Sequence, residues 1–254
     1  MLAAIFAIAP PGNKRLDVAQ ERPRLEMIAE ANARAIVKNP HEIGYKGPAA
    51  ARLKAIDQVA TAWPESYFDA KAQRCIKKGD NGNSTTIFQL HRPWSLQRKV
   101  WKTKRYKQWD GTWKTYKVWV WVNHHTEKEL CKSDELAAEQ FMHMWHVNEQ
   151  RFKWAVPHHL FQAYVTGRPK SWLRRVTGRC LRWARIANKM GLRDERTVKK
   201  DMKKHKKGDK VIEEISCWRM PEWVIIDPRI DIDKLVEKQL NVYPKPKKNV
   251  KPKP

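Results

Sequence analysis

Glycine is scarce in this chain, ten residues in 254, and acidic side chains are outnumbered, 27 against 52 lysines and arginines. The shortage of acid leaves a formal charge of +25, which calls for an anionic partner, because net charge speaks to association rather than to fold. Nucleic acid, a membrane surface and an acidic cell wall are the classes this admits, and charge alone favours nucleic acid. No apolar run reaches the ~18 residues that a spanning helix needs, so an integral membrane protein is not expected. Cysteine is limited to Cys75, Cys131, Cys180 and Cys217, and no C-x-x-C pair occurs, which argues against a zinc site or a redox centre. Three disulfide pairings are open to these cysteines in an oxidising compartment, and buried free thiols account for them equally well. The pairs His124/His125, His143/His146 and His158/His159 lack a cysteine or carboxylate companion at ligand spacing, so neither a metal nor a cofactor is expected. Internal repeats are absent.

What is present is the composition of a folded chain: 41% hydrophobic residues and thirteen tryptophans, at a length that buries one main core with extensions. The opening run Met1 to Ala9 is apolar but lacks a basic lead and meets Pro10-Pro11, which reads as a small hydrophobic anchor within the fold rather than a cleaved leader. Apolar residues at helical spacing predict helices over about 16–37 and 49–67, with Pro64 bending or ending the second. Further helices are predicted from about Ser133 to before Pro157, over 158–165 and over 171–190. Between them, Lys77 to Ser84 is a turn-rich polar loop, and residues 92–125 interleave tryptophan with lysine and arginine around Asp110-Gly111, a hairpin signal. The organisation expected is an N-terminal helical segment 1–40, a main domain 41–190 carrying the 92–125 insertion, and a basic extension 191–254 with a disordered tail.

The chemistry-bearing residues fall in two segments. Trp63-Pro64-Glu65-Ser66-Tyr67-Phe68-Asp69 ends a helix in Glu-Ser, and Gly79 to His91 supplies a loop with Ser84 and then Phe88-Gln89-Leu90. A later run, Phe161-Gln162-Ala163-Tyr164-Val165-Thr166-Gly167, pairs alanine with tyrosine ahead of glycine. In these segments the chain resembles the lytic transglycosylases of the lysozyme-like superfamily, over roughly residues 53–182. The resemblance implies a lysozyme-like helical domain; with the hairpin and the Lys-rich end read above, the fold expected is mainly α (α+β), a lysozyme-like helical domain with a small β-hairpin insertion and a basic C-terminal extension. It implies cleavage of the bond between N-acetylmuramic acid and N-acetylglucosamine, with Glu65 as acid and then base. Ser66 and Ser84 would shape or support the substrate site, Gln89 would hydrogen-bond the glycan, and Tyr164 would line the cleft. Two positions depart from the family: Thr86 stands where it usually has glycine, so a reshaped loop is expected, and Val165 replaces an asparagine.

Independently of any family, cleavage of a glycoside needs a carboxylic acid able to donate a proton near neutral pH. Glu65 lies among Trp63, Tyr67 and Phe68 at the negative end of a helix dipole, surroundings that favour the protonated form. Asp69 and Asp80 are the available second carboxylates if the reaction is hydrolytic. The Trp/Lys hairpin has three readings: a wall of the sugar cleft, a platform for nucleic acid, or a ribbon that buries one tryptophan face and solvates its lysine face. The partners expected are therefore peptidoglycan strands, with an anionic wall polymer or DNA engaged through the basic regions. Work at the cell wall or periplasm, without a convincing export signal, favours delivery from a phage particle. The rival function is an inactive lysozyme-like scaffold serving as a structural or nucleic-acid-binding virion component.

Overall fold

The computed structural model describes residues 1–9, 16–91, 97–123, 125–152, 157–166, 174–194, 196, 199, 224–227 and 229–242. The Lys-rich stretch after residue 199, the predicted disordered tail, Cys217 and Trp94 lie outside them. The described part is mainly helical with small antiparallel sheets. Among the described residues no helix is long and apolar enough to cross a membrane.

Helix α1 (Leu2–Ile8) buries Ala3, Ala4, Ile5 and Phe6, so the opening apolar run is core. Helix α2 (Val18–Lys38) starts where the Asp17 side chain accepts from the Ala19 and Gln20 amides. Helix α3 (Ala50–Ser66) is the central element, with every residue from Leu53 to Trp63 buried. Around it lie α6 (Asp134–Arg151), α7 (Pro157–Thr166) and α8 (Arg174–Lys189), with α2 packed along α6 and α8 along α3. Ser133 caps α6 by accepting from the Leu136 amide. Short helices α4 (Ala70–Gln73) and α5 (Glu127–Lys132) lie before and after the insertion, and a disulfide joins Cys75, two residues past α4, to Cys131 on α5, Cα atoms 5.5 Å apart. Cys180 is also disulfide-bonded.

Strands β1 (Ser84–Thr85) and β2 (Leu90–His91) form a minimal hairpin, with Ser84 opposite His91. Strands β3 (Gln97–Lys107) and β4 (Trp113–Asn123) form the long one, in register from Gln97/Asn123 to Lys107/Trp113. Its turn closes with the Gly111 amide on the Gln108 carbonyl at 3.0 Å and Gly111 at φ 84°, the conformation for which glycine is suited. Along 101–107 and 109–117 both faces are open to solvent, so a single buried tryptophan face is not what this stretch forms. The basic extension returns to the body: β5 (Leu192–Asp194) pairs with β6 (Val224–Ile226), and α9 (Ile232–Val242) meets α1.

The inner turns of α3 carry polar groups into the core. Lys54 and Asp57 are both fully buried; Lys54 Nζ stands 3.5 Å from Glu149 and 3.9 Å from Asp57. Asp57 accepts from the Tyr45 hydroxyl at 2.7 Å and from the Trp183 indole at 2.9 Å. Burial pushes the Asp57 carboxyl from 3.8 up to about 7, against the pull of Lys54 and the two donors. Folding therefore takes up a proton here between those two values, so the stabilisation is complete below the unfolded value and is lost as pH rises through about 7. The stability advantage of the wild type over Asp57→Asn, measured by urea unfolding, is expected to shrink across that window by up to ~1.4 kcal/mol per pH unit. An advantage that grows with pH would contradict this assignment.

Candidate active site

Glu65 sits in the last turn of α3. The helix ends at Tyr67, which adopts a left-handed conformation (φ 54°), and Phe68 follows in the same region (φ 56°). Ser66 fixes this end: its buried hydroxyl meets the Ile87 carbonyl at 2.8 Å and the Ala62 carbonyl at 3.2 Å, and accepts from the Phe68 amide at 3.2 Å. The helix terminus is thereby tied to the loop between β1 and β2.

Unusual backbone geometry gathers between this helix end and that loop. Among the described residues, every non-glycine with positive φ lies between Tyr67 and Gln89: Tyr67, Phe68, Cys75, Asp80, Asn81, Thr86 and Gln89. Thr86, with φ 66°, holds the left-handed conformation despite its β-branch, so the loop keeps a glycine-like backbone at a cost of roughly 1–2 kcal/mol. Packing supplies the compensation, since Thr86 is buried and its hydroxyl accepts from the Phe88 amide at 3.3 Å. Strain clustered in this way is a property of functional segments more than of scaffolds.

The remaining predicted residues take distinct positions. Ser84 is fully buried and donates to the Asp80 carboxylate at 2.5 Å, bracing the polar loop from inside. Gln89 turns back over the loop, its amide donating to the Thr86 carbonyl at 2.9 Å, and its Oε1 lies where a side chain on Gly79 would sit. Tyr164 donates to the Phe88 carbonyl at 2.5 Å and packs against Phe141 and Trp145. Burial, and then the Glu65 carboxylate, push the Tyr164 phenol well above its ordinary value, so it remains a neutral donor. Ser66, Gln89 and Tyr164 thus all bond to carbonyls of one short stretch, 86–88, and Glu65 is the chain neighbour of Ser66.

Two features are not visible in the motif. The Glu65 carboxylate is 2.6 Å from the guanidinium of Arg179 on α8, whose side chain is 6% exposed against 21% for Glu65. Arg179 Nε and Nη1 and Arg182 Nη1 are buried without a hydrogen-bond partner among the described residues. The second feature is how the spare carboxylates are used. Asp69 caps α4 by accepting from the Lys71 amide at 2.8 Å and pairs with Lys77 at 3.3 Å. Burial works against its charge, but these donors together hold the Asp69 carboxyl below its ordinary value. Compared with protein-family models, curated proteins and solved structures, the chain matches none.

Proposed function

We propose that this chain is a lytic transglycosylase of lysozyme-like architecture, cleaving the bond between N-acetylmuramic acid and N-acetylglucosamine. The observation that carries the reading is the tie between the Glu65 helix end and a strained loop, made through Ser66 and Ile87. Such a tie holds one carboxyl against a segment able to approach a ligand closely. In the reaction, protonated Glu65 gives its proton to the bridging oxygen as the bond to the muramyl C1 breaks. The carboxylate then takes the proton of the same sugar's 6-hydroxyl, and that oxygen closes on C1 to give the 1,6-anhydro ring. No water is consumed, and no second carboxylate is required. The engagement of Asp69 as a helix cap and of Asp80 as a loop brace supports this single-carboxylate chemistry over a hydrolase.

Glu65 donates a proton only once its pair with Arg179 has opened. Among the described residues, Arg179 and Arg182 keep buried donors without a hydrogen-bond partner, suited to the oxygens and carboxylates of a muramyl peptide. The disulfide between Cys75 and Cys131 supports action in an oxidising compartment such as the periplasm or the wall.

The test is mass spectrometry of the soluble products from purified peptidoglycan. Fragments ending in 1,6-anhydromuramic acid with the wild type, and their absence with Glu65→Gln, are expected; reducing ends would make the chain a hydrolase. A second expectation concerns Gln89. A Cβ at Gly79 would overlap Gln89 Oε1, a flexible end that can swing away, so Gly79→Ala should change stability by less than about 1 kcal/mol. The displaced Gln89 should raise KM for glycan several-fold with kcat less affected; unchanged kinetics would remove Gln89 from the site. One observation favours the rival reading of an inactive, lysozyme-like virion or nucleic-acid-binding scaffold: the short Glu65–Arg179 contact occupies the acid. No release from either protein on accessible substrate would select it.

A further inference from the structure

The bonds described around Glu65 do not involve the β3–β4 hairpin, whose own surface is strongly biased in its chemistry. Its two strands contain no acidic residue, and Asp110 in the turn accepts from the Thr112 amide and hydroxyl. Six cations lie on its open part: Lys102, Lys104, Arg105, Lys107, Lys114 and Lys117. The register divides them between the faces, since cross-strand partners share a face. Arg105, Lys107 and Lys117 fall on one side with Trp101 and Trp113, and Lys102, Lys104 and Lys114 on the other with Tyr106 and Tyr116. The rings are open: Trp109 is 98% exposed, Trp113 58% and Trp101 54%. Arg105 lies over the Trp113 ring at 5.6 Å, and Tyr106 meets Tyr116 edge-on at 5.5 Å.

Exposed indoles are costly to leave in water, so a surface built this way calls for an occupant. Cations on both faces argue against a bilayer interface, which needs one apolar face. Cations without acid call for a regular polyanion, and open rings among them call for flat groups along that polyanion on which to stack. Duplex nucleic acid hides the flat faces of its bases; an unpaired strand presents them. We infer that this hairpin is a binding arm for single-stranded nucleic acid, with phosphates held by the lysines and Arg105 and bases stacked on Trp101, Trp109 and Trp113. The inference is independent of Glu65 and stands whether or not the chain cleaves glycan.

The test uses the full chain and three labelled probes of equal length: an oligothymidylate, an abasic strand with the same phosphates, and a duplex. Oligothymidylate should bind tightest and quench tryptophan fluorescence. Trp109→Ala and Trp113→Ala, at exposed positions that leave the fold intact, should each weaken it about tenfold while barely changing the abasic probe. Lys102→Gln with Lys104→Gln should lessen the dependence of log affinity on log salt, by about 0.7 for each phosphate no longer neutralised. Equal binding of abasic and base-bearing strands, with neutral tryptophan variants, would overturn the inference in favour of a plain polyanion such as a wall polymer. Preference for the duplex, or undiminished affinity in either tryptophan variant, would overturn it as well.

Discussion

Glu65→Gln is expected to lower the release of anhydro-ended glycan by about 10²- to 10⁴-fold, the usual contribution of a positioned acid–base group. The same change strips Arg179 of its charge partner inside the protein, so lost activity could be confused with a damaged fold. Breaking a fully buried pair costs about 3–5 kcal/mol, and the partial exposure of Glu65 reduces this to roughly 1–3 kcal/mol. At this size that corresponds to a fall of roughly 2–12 °C in the thermal midpoint. Combining Glu65→Gln with Arg179→Met separates the two effects, because removing both members of a pair costs less than removing one. The double variant should recover most of the lost midpoint and, because Arg179 is itself proposed to meet substrate, is compared with Arg179→Met alone, against which it should still release far less product. Recovery of release together with stability would show that Glu65 serves the fold and not the reaction.

Lys54→Met is expected to destabilise the protein by about 3–5 kcal/mol without touching the site. Methionine matches the length of the lysine stem, so the loss is one of charge: Asp57 and Glu149 would face each other across the core with no cation between them. Burial already raises both carboxyls, and without Lys54 they would stay protonated to still higher pH. The deficit should therefore be small in mild acid and grow as pH rises past about 7, a dependence that a simple packing defect does not produce. Urea unfolding at both ends of that range measures it; a loss below about 1 kcal/mol at the alkaline end would remove the ion cluster as a structural element.

Much of this architecture is legible in the sequence. Helices α2, α3, α6, α7 and α8 follow from apolar spacing, and Asp110-Gly111 marks the long hairpin. Helix α5 escapes a periodicity reading because six residues are less than two turns, although its Thr126/Glu129 capping box stands in the sequence. The buried ions of α3 are not legible. Lys54 belongs on a solvent face by residue type, and only the fold brings Glu149 and Tyr45 to it. Similarly, Arg179 reaches Glu65 from a helix far along the chain, and His143 finds Glu42 at 2.8 Å from another. Thr86 shows the opposite relation: a residue type that resists positive φ adopts it because neighbouring hydrogen bonds and burial determine the loop.

The Cys75–Cys131 bridge closes a covalent ring that contains both the loop behind Glu65 and the whole basic hairpin. A protease that cuts the exposed, lysine-rich ribbon opens this ring but leaves the two fragments joined through the disulfide. The helix bearing Glu65, before the ring, stays bonded to the helix bearing Arg179, after it. Two such cuts would release the arm and leave the body whole, so a nicked molecule would run as one species until a reductant is added and as two thereafter.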